Sequence, residues 1–222
     1  MLSSLLPVVF SSLVLAVPAP LHQRDVPISI CNTTLTGLLA ANASSSKLAC
    51  LLPVVSSSPF QDPLAFSIDN QSQLVFNASS NEVLNVAFQP CTPNFGHFNT
   101  TGNDTVEGHI FLPDLQQCLG VASLEGPTLQ LAAVDCPISD DSSQGFVSWV
   151  QTNGSFLFAG VTQADGSIIQ GTNLPGAANC TGFGFFGFPS TASGVPADGP
   201  VTLECANNAD VSPFLFAPSL SS

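Results

Sequence analysis

The sequence predicts an all-β domain built from three degenerate repeats, and three observations carry that prediction. Short apolar segments alternate at period two along much of the chain. Eighteen prolines and seventeen glycines are spread through 222 residues, which leaves little room for long helices. A segment ending in cysteine recurs: residues 84–91 (LNVAFQPC) match residues 129–136 (LQLAAVDC), and a poorer copy occupies residues 201–205 (VTLEC). The match extends backwards, with Ser72-Gln73-Leu74-Val75-Phe76 falling on Gln116-Gln117-Cys118-Leu119-Gly120. The terminal cysteines, Cys91, Cys136 and Cys205, are 45 and then 69 residues apart. An insertion in the third copy, the Gly/Phe/Pro-rich stretch 171–200, accounts for the longer interval. Copies of this length point to threefold pseudosymmetry.

In chain order, residues 1–19 read as a signal peptide: Leu5 to Val17 is apolar apart from Pro7, Ser11 and Ser12, with small residues Ala16 and Ala19 in the cleavage zone. The stretch is too short and too broken to span a bilayer, and no later segment reaches the length of a membrane helix. Arg24 is a candidate for a further propeptide cut. Residues 20–63 form an N-terminal extension, expected to pack on the main domain. In it, Leu35, Leu38 and Leu39 behind a Thr34 N-cap suggest one or two helical turns, limited by Gly37. The domain proper spans 64–216, in repeats of about 64–106, 107–153 and 154–216. Its strands are expected at 66–68, 74–76, 84–88, 129–131, 147–149, 156–158, 201–203 and 214–216, with Asn, Gly, Ser, Asp or Pro between them. Residues 217–222 are a tail.

Secretion has independent support in the glycosylation sequons. Asn-x-Ser/Thr occurs at Asn32, Asn42, Asn70, Asn77, Asn99, Asn103, Asn153 and Asn179, eight of fourteen asparagines, where chance predicts about three. Asn179 is the weakest, because Cys180 sits in its middle position. The formal charge is −13, with Arg24 and Lys47 as the fixed cations, so nothing is available to neutralise phosphates or an anionic bilayer. Nucleic acid is excluded as a partner. With charges so scarce, glycans are expected to supply much of the surface hydration.

Gln117-Cys118-Leu119-Gly120-Val121, Leu129-Gln130-Leu131, Cys136 and Val147-Ser148-Trp149 together resemble one repeat of the ricin-B-type lectins, which runs Cys-Leu-Asp-Val, Val-Gln-Leu-Trp, Cys and Gln-x-Trp. The resemblance covers residues 108–160. It implies a β-trefoil, a barrel of six strands capped by three hairpins, with Phe66 or Phe98 as the aromatic plug of repeat one. The alternative is a β-sandwich in which similar strands resemble one another by composition. The resemblance also implies cysteine pairs. Cys118 and Cys136 occupy positions that the family joins within a repeat, and closing that loop would stabilise by roughly 3 kcal/mol. Cys180 and Cys205 are the corresponding pair in repeat three. In repeat one the partner position of Cys91 is Leu74, so Cys91 pairs with Cys31 or Cys50 or stays free.

Sugar binding, the activity the resemblance implies, is lost at the positions that align. The family's carboxylate falls on Gly120 and, in repeat one, on Phe76, while Ala132 and Ala133 stand near its strand aromatic. No enzymatic chemistry is expected either. Gly-x-Ser-x-Gly, His-Glu-x-x-His and a P-loop are absent. The cysteines lack Cys-x-x-Cys spacing and His22, His97 and His109 are not clustered, so neither a metal nor any other cofactor is expected. A cysteine protease would have Cys91 with His97 or His109 to draw on. The adjacent acids Asp140 and Asp141 read as a solvated loop, and Asp135 as a turn acceptor.

The reading is therefore a secreted, non-enzymatic glycoprotein, an extracellular recognition module for carbohydrate or an extracellular protein. The alternative is a β-trefoil protease inhibitor presenting stretch 171–200 as its loop; a small hydrolase is the third class. Within that stretch, Phe183, Phe185, Phe186 and Phe188 alternate with glycines in what is expected to be an irregular loop. Either the rings turn inward and plug the barrel, or Phe185 and Phe186 form an exposed hydrophobic docking site.

Overall fold

The computed structural model describes residues 30–41, 65–92, 105–124, 128–138, 142–159, 185–192, 194–205 and 211–218. These are all-β, apart from one 3-10 turn at Ser142–Phe146. The first part of the chain forms β1 (Ile30–Cys31), β2 (Leu35–Ala41), β3 (Phe66–Ile68), β4 (Leu74–Phe76), β5 (Asn85–Gln89) and β6 (Cys91–Thr92). The middle forms β7 (Thr105–Leu112), β8 (Gln117–Val121), β9 (Leu129–Val134) and β10 (Trp149–Thr152). The last part forms β11 (Ser155–Phe158), β12 (Phe186–Pro189), β13 (Gly199–Pro200), β14 (Thr202–Cys205), β15 (Val211–Ser212) and β16 (Phe214–Ala217). Among the described residues no helix is long and apolar enough to cross a membrane.

Antiparallel pairing closes the sheet into a barrel. One circuit of nine strands runs β2-β5-β7-β8-β9-β14-β12-β11-β16 and back to β2. Strand β10 pairs with both β7 and β11, so the six strands β2, β5, β7, β10, β11 and β16 also close on themselves. Each third of the chain supplies two of these six and a hairpin between them: β3–β4, β8–β9 and β12–β14. The three hairpins meet one another. Strand β9 pairs with β14, β13 pairs with β4, and Gln73 bridges to Ala132. The Val201 amide donates to the Leu74 carbonyl at 2.8 Å, and the Ala133 amide to the Ser72 carbonyl at 2.8 Å.

The core fills this closed shape with aromatic rings. Trp149, Phe66, Phe76, Phe88, Phe156, Phe158, Phe188 and Phe214 are all fully buried. They meet edge-on or tilted, as Trp149 does with Phe158 at 5.5 Å and with Phe214 at 5.7 Å between ring centres. The Trp149 indole N–H donates to the Leu119 carbonyl at 2.8 Å, so the bulkiest residue brings no orphaned polar group inside. Each of the eight expected segments overlaps or abuts a strand, since their alternate residues are the ones that point inward.

Two expectations are corrected. Residues 35–41 are neither helical nor part of an extension packed on the barrel: β2 is one of its staves, between β5 and β16. Leu39 and Ala41 join the core while Leu38 and Ala40 are buried on the other face, and a run buried on both faces carries no alternation to betray a strand. Likewise β12 is a strand, not an irregular loop. Gly187 at its centre lies where a Cβ would come within 2.6 Å of the Ser212 carbonyl oxygen, so the glycine serves close strand approach rather than disorder.

The repeat alignment has a backbone counterpart. Ser72 and Gln116, matched in the sequence, both adopt left-handed φ, 61° and 57°, just before β4 and β8. Cys118 and Cys136 form a disulfide, the pair that the lectin resemblance implies. Cys31 and Cys91 form another, across the β1–β6 ribbon. Cys205 is also disulfide-bonded, but Cys180, its expected partner, lies outside the described residues.

Candidate functional site

The positions that the lectin resemblance assigns to sugar binding, Gly120 and Phe76, are packed solid. Gly120 sits in β8 where an added Cβ would run into the Phe146 carbonyl oxygen and stand 2.8 Å from a Val147 methyl. A carboxylate has no room there. Phe76 is a core residue, and Ala132 and Ala133 are buried.

The phenylalanine cluster resolves inward. Phe186 is 3 % exposed, belongs to the core and meets Phe158 edge-on, and Phe188 packs 4.9 Å from Phe214. Phe185 is half-buried and packs against the same core. Phe185 and Phe186 therefore do not make an exposed docking pair: burying rings of this size contributes more than a solvent-facing patch would return. Phe183 lies outside the described residues.

Four sequon asparagines are described, and all four are exposed: Asn32, Asn70, Asn77 and Asn153. Asn153, with φ 51°, and Gly154, with φ 78°, make the two-residue turn joining β10 to β11, a conformation that Asn-Gly adopts readily. The Asn77 side-chain oxygen accepts the Ser79 amide at 3.0 Å. Asn42, Asn99, Asn103 and Asn179 lie outside the described residues.

One group of residues concentrates chemistry of which the sequence reading had joined only Cys91 and His109. Strand β7 points Ile110 and Leu112 into the core and Glu107 and His109 to the opposite face. That face is covered too. Among the described residues the buried polar or charged side chains are Glu107, His109, Gln144 and Ser148. The Ser148 hydroxyl donates to the Glu107 carboxylate, and the 3-10 turn brings in Gln144, whose side chain interacts with His109. From the other side, His109 pairs in register with Gln89 of β5, and Cys91, two residues on, places its Sγ 3.4 Å from His109 Nδ1. Burial pushes the His109 imidazole down from its ordinary 6.5 to about 4, with the Gln144 side chain acting in the opposite sense. The imidazole is therefore neutral at neutral pH, and its Nε2 makes no hydrogen bond.

Serine, histidine and carboxylate share this face, but they are not wired as a hydrolytic relay. The hydroxyl is engaged with the carboxylate, the imidazole faces a sulfur, and each is buried away from substrate. The donor atoms of Cys31, Cys91 and His109 lie within 4.8 Å of one another, yet the two sulfurs are bonded to each other, so they offer no thiolate pair to a metal. Sequence reasoning named Cys91 with His97 or His109 but missed Glu107, Gln144 and Ser148, which lie on different elements and meet only in the folded chain. The signal that was present is the alternation Glu107-x-His109 inside an otherwise apolar segment. No protein-family model, curated protein or solved structure matches the chain.

Proposed function

We propose that the protein is a secreted, N-glycosylated β-trefoil without enzymatic activity, serving as a rigid recognition scaffold whose inherited sugar sites are closed. The observation that carries this reading is the threefold pairing pattern: two barrel strands and one capping hairpin from each third of the chain, with the hairpins joined at one end. Such a scaffold holds its loops in fixed positions, and binding then resides in the loops rather than in the barrel. The exposed Asn32, Asn70, Asn77 and Asn153 fit glycan attachment, and the leader-like segment 1–19 fits secretion. The rival inhibitor would present stretch 171–200, but its described strand β12 is spent on the core, which leaves the recognition reading ahead.

Expression in a eukaryotic secretory host tests the first half of the proposal. The product should reach the medium and lose mass in several steps under graded peptide:N-glycosidase treatment; retention inside the cell in unglycosylated form would contradict it. A glycan array run beside a pull-down from extracellular material tests the second half. Partner capture that shows no simple-sugar competition is expected. Competition by a free galactoside-type sugar would reinstate a lectin.

A further inference from the structure

We propose that the Cys31–Cys91 disulfide is a thiol-exchange site: an external small thiol attacks the Cys31 sulfur, and the Cys91 sulfur departs into a position already lined by His109 and the Gln89 carbonyl. The two ends of this bridge differ. Cys31 is exposed, whereas Cys91 is buried. An incoming thiolate therefore meets the Cys31 sulfur, and Cys91 is the leaving group. Around the leaving sulfur the polar groups are in place. His109 Nδ1 lies 3.4 Å away and the Gln89 carbonyl oxygen 3.5 Å away. The other described bridge has no exposed end, because Cys118 is fully buried between its cross-strand partners Phe111 and Val134 and Cys136 is half-buried.

In the exchange, the small thiol loses its proton to solvent and its sulfur bonds to Cys31 as the Cys31–Cys91 bond breaks. The electron pair of that bond stays on the Cys91 sulfur. As charge develops there, the neutral imidazole, in the tautomer that carries its proton on Nδ1, donates that N–H to it, and the sulfur then takes a proton from water. The resulting Cys91 thiol has the Gln89 carbonyl as an acceptor for its own S–H. The products are a mixed disulfide on Cys31 and a buried, hydrogen-bonded thiol on Cys91, with no net oxidant required. The modification removes the covalent tie between β1 and β6 and leaves β2 in the barrel, so the exchange proceeds without unfolding the domain.

Reduced glutathione added to the intact protein near neutral pH, followed by acid quench, alkylation and peptide mapping, tests the assignment. The expected result is glutathione on Cys31 with Cys91 alkylated, formed before Cys118–Cys136 opens. His109→Leu should slow this opening about tenfold or more, the effect of removing a hydrogen bond to a developing charge, and leave Cys118–Cys136 unchanged. His109→Gln keeps an N–H donor and should recover part of the rate. Glutathione found on Cys91, equal opening of both bridges, or an unchanged rate in His109→Leu would each overturn the proposal. If His109→Leu loosens the fold, early opening of Cys118–Cys136 reports it, and the position of glutathione in the unaltered protein then decides alone.

Discussion

Strand β7 has two buried faces, and they are held by different physics. The inward face, Ile110 and Leu112, joins a core of phenylalanines and Trp149, where stabilisation follows apolar area and no partner is individually required. The outward face, Glu107 and His109, is just as hidden but rests on specific partners: Ser148, Gln144 and the Cys91 sulfur. An apolar face tolerates any change of solution conditions that keeps it dry. A buried polar face depends on protonation and on sulfur chemistry, so one strand carries both the structural and the chemically responsive half of the molecule.

The inward face should give the largest effect. Trp149→Ala removes the biggest core side chain and leaves the Leu119 carbonyl without its donor, and urea unfolding should report a loss of about 3–5 kcal/mol at all pH values. The outward face should instead respond to acid. His109 titrates at about 4 in the folded protein and near its ordinary 6.5 when unfolded. Between those values the unfolded chain binds a proton that the folded protein does not, so stability falls as pH drops through this window and is fully present above it. The loss attributable to His109 is up to about 3 kcal/mol. Subtracting urea-derived stabilities of His109→Gln from those of the unaltered protein across that range should expose this slope; parallel curves would erase the distinction between the faces.

A smaller change is expected from Ser148→Ala. It deprives the buried Glu107 of a hydrogen-bond donor and should cost about 1–3 kcal/mol, visible in the same urea titration near neutral pH. The smallest belongs to Phe185, half-buried against the core. Phe185→Ser should cost roughly 1 kcal/mol, while Phe186→Ser, at a fully enclosed position, should approach the Trp149 effect. Equal costs at these two positions would mean that Phe185 is enclosed as fully as Phe186.

The inward face was largely legible in the sequence because alternation encodes it. Val86 and Phe88, Leu129 and Leu131, Phe156 and Phe158, and Phe214 all announce strands and all belong to the core. The repeat match aligned Ser72 with Gln116, which share a left-handed backbone, and the resemblance paired Cys118 with Cys136. Elements buried on both faces escaped. In β2 the run Leu38-Leu39-Ala40-Ala41 carries no period, and in β12 the glycines resembled loop chemistry although Gly187 is a packing residue. The outward cluster was legible only as open alternatives, Cys91 with His97 or His109 and with Cys31 or Cys50, for a topological reason. His109 meets Cys91 only because β5 and β7 are neighbours, and Cys31 reaches Cys91 only because β1 returns to pair with β6. Three strands in a particular order are needed before that chemistry exists, and no local spacing records their order.

The central structural claim is that β2, in the N-terminal segment, is a stave of the barrel and not part of an extension laid upon it. Residues 64–216, expressed and examined alone by urea unfolding, decide between the two, with the full chain carrying Cys31→Ser and Cys91→Ser as the control for the missing disulfide. The account predicts that the control unfolds cooperatively while residues 64–216 do not, because without β2 the partner edges of β5 and β16 lie open. A sharp, reversible transition in residues 64–216, with stability close to that of the control, would contradict it.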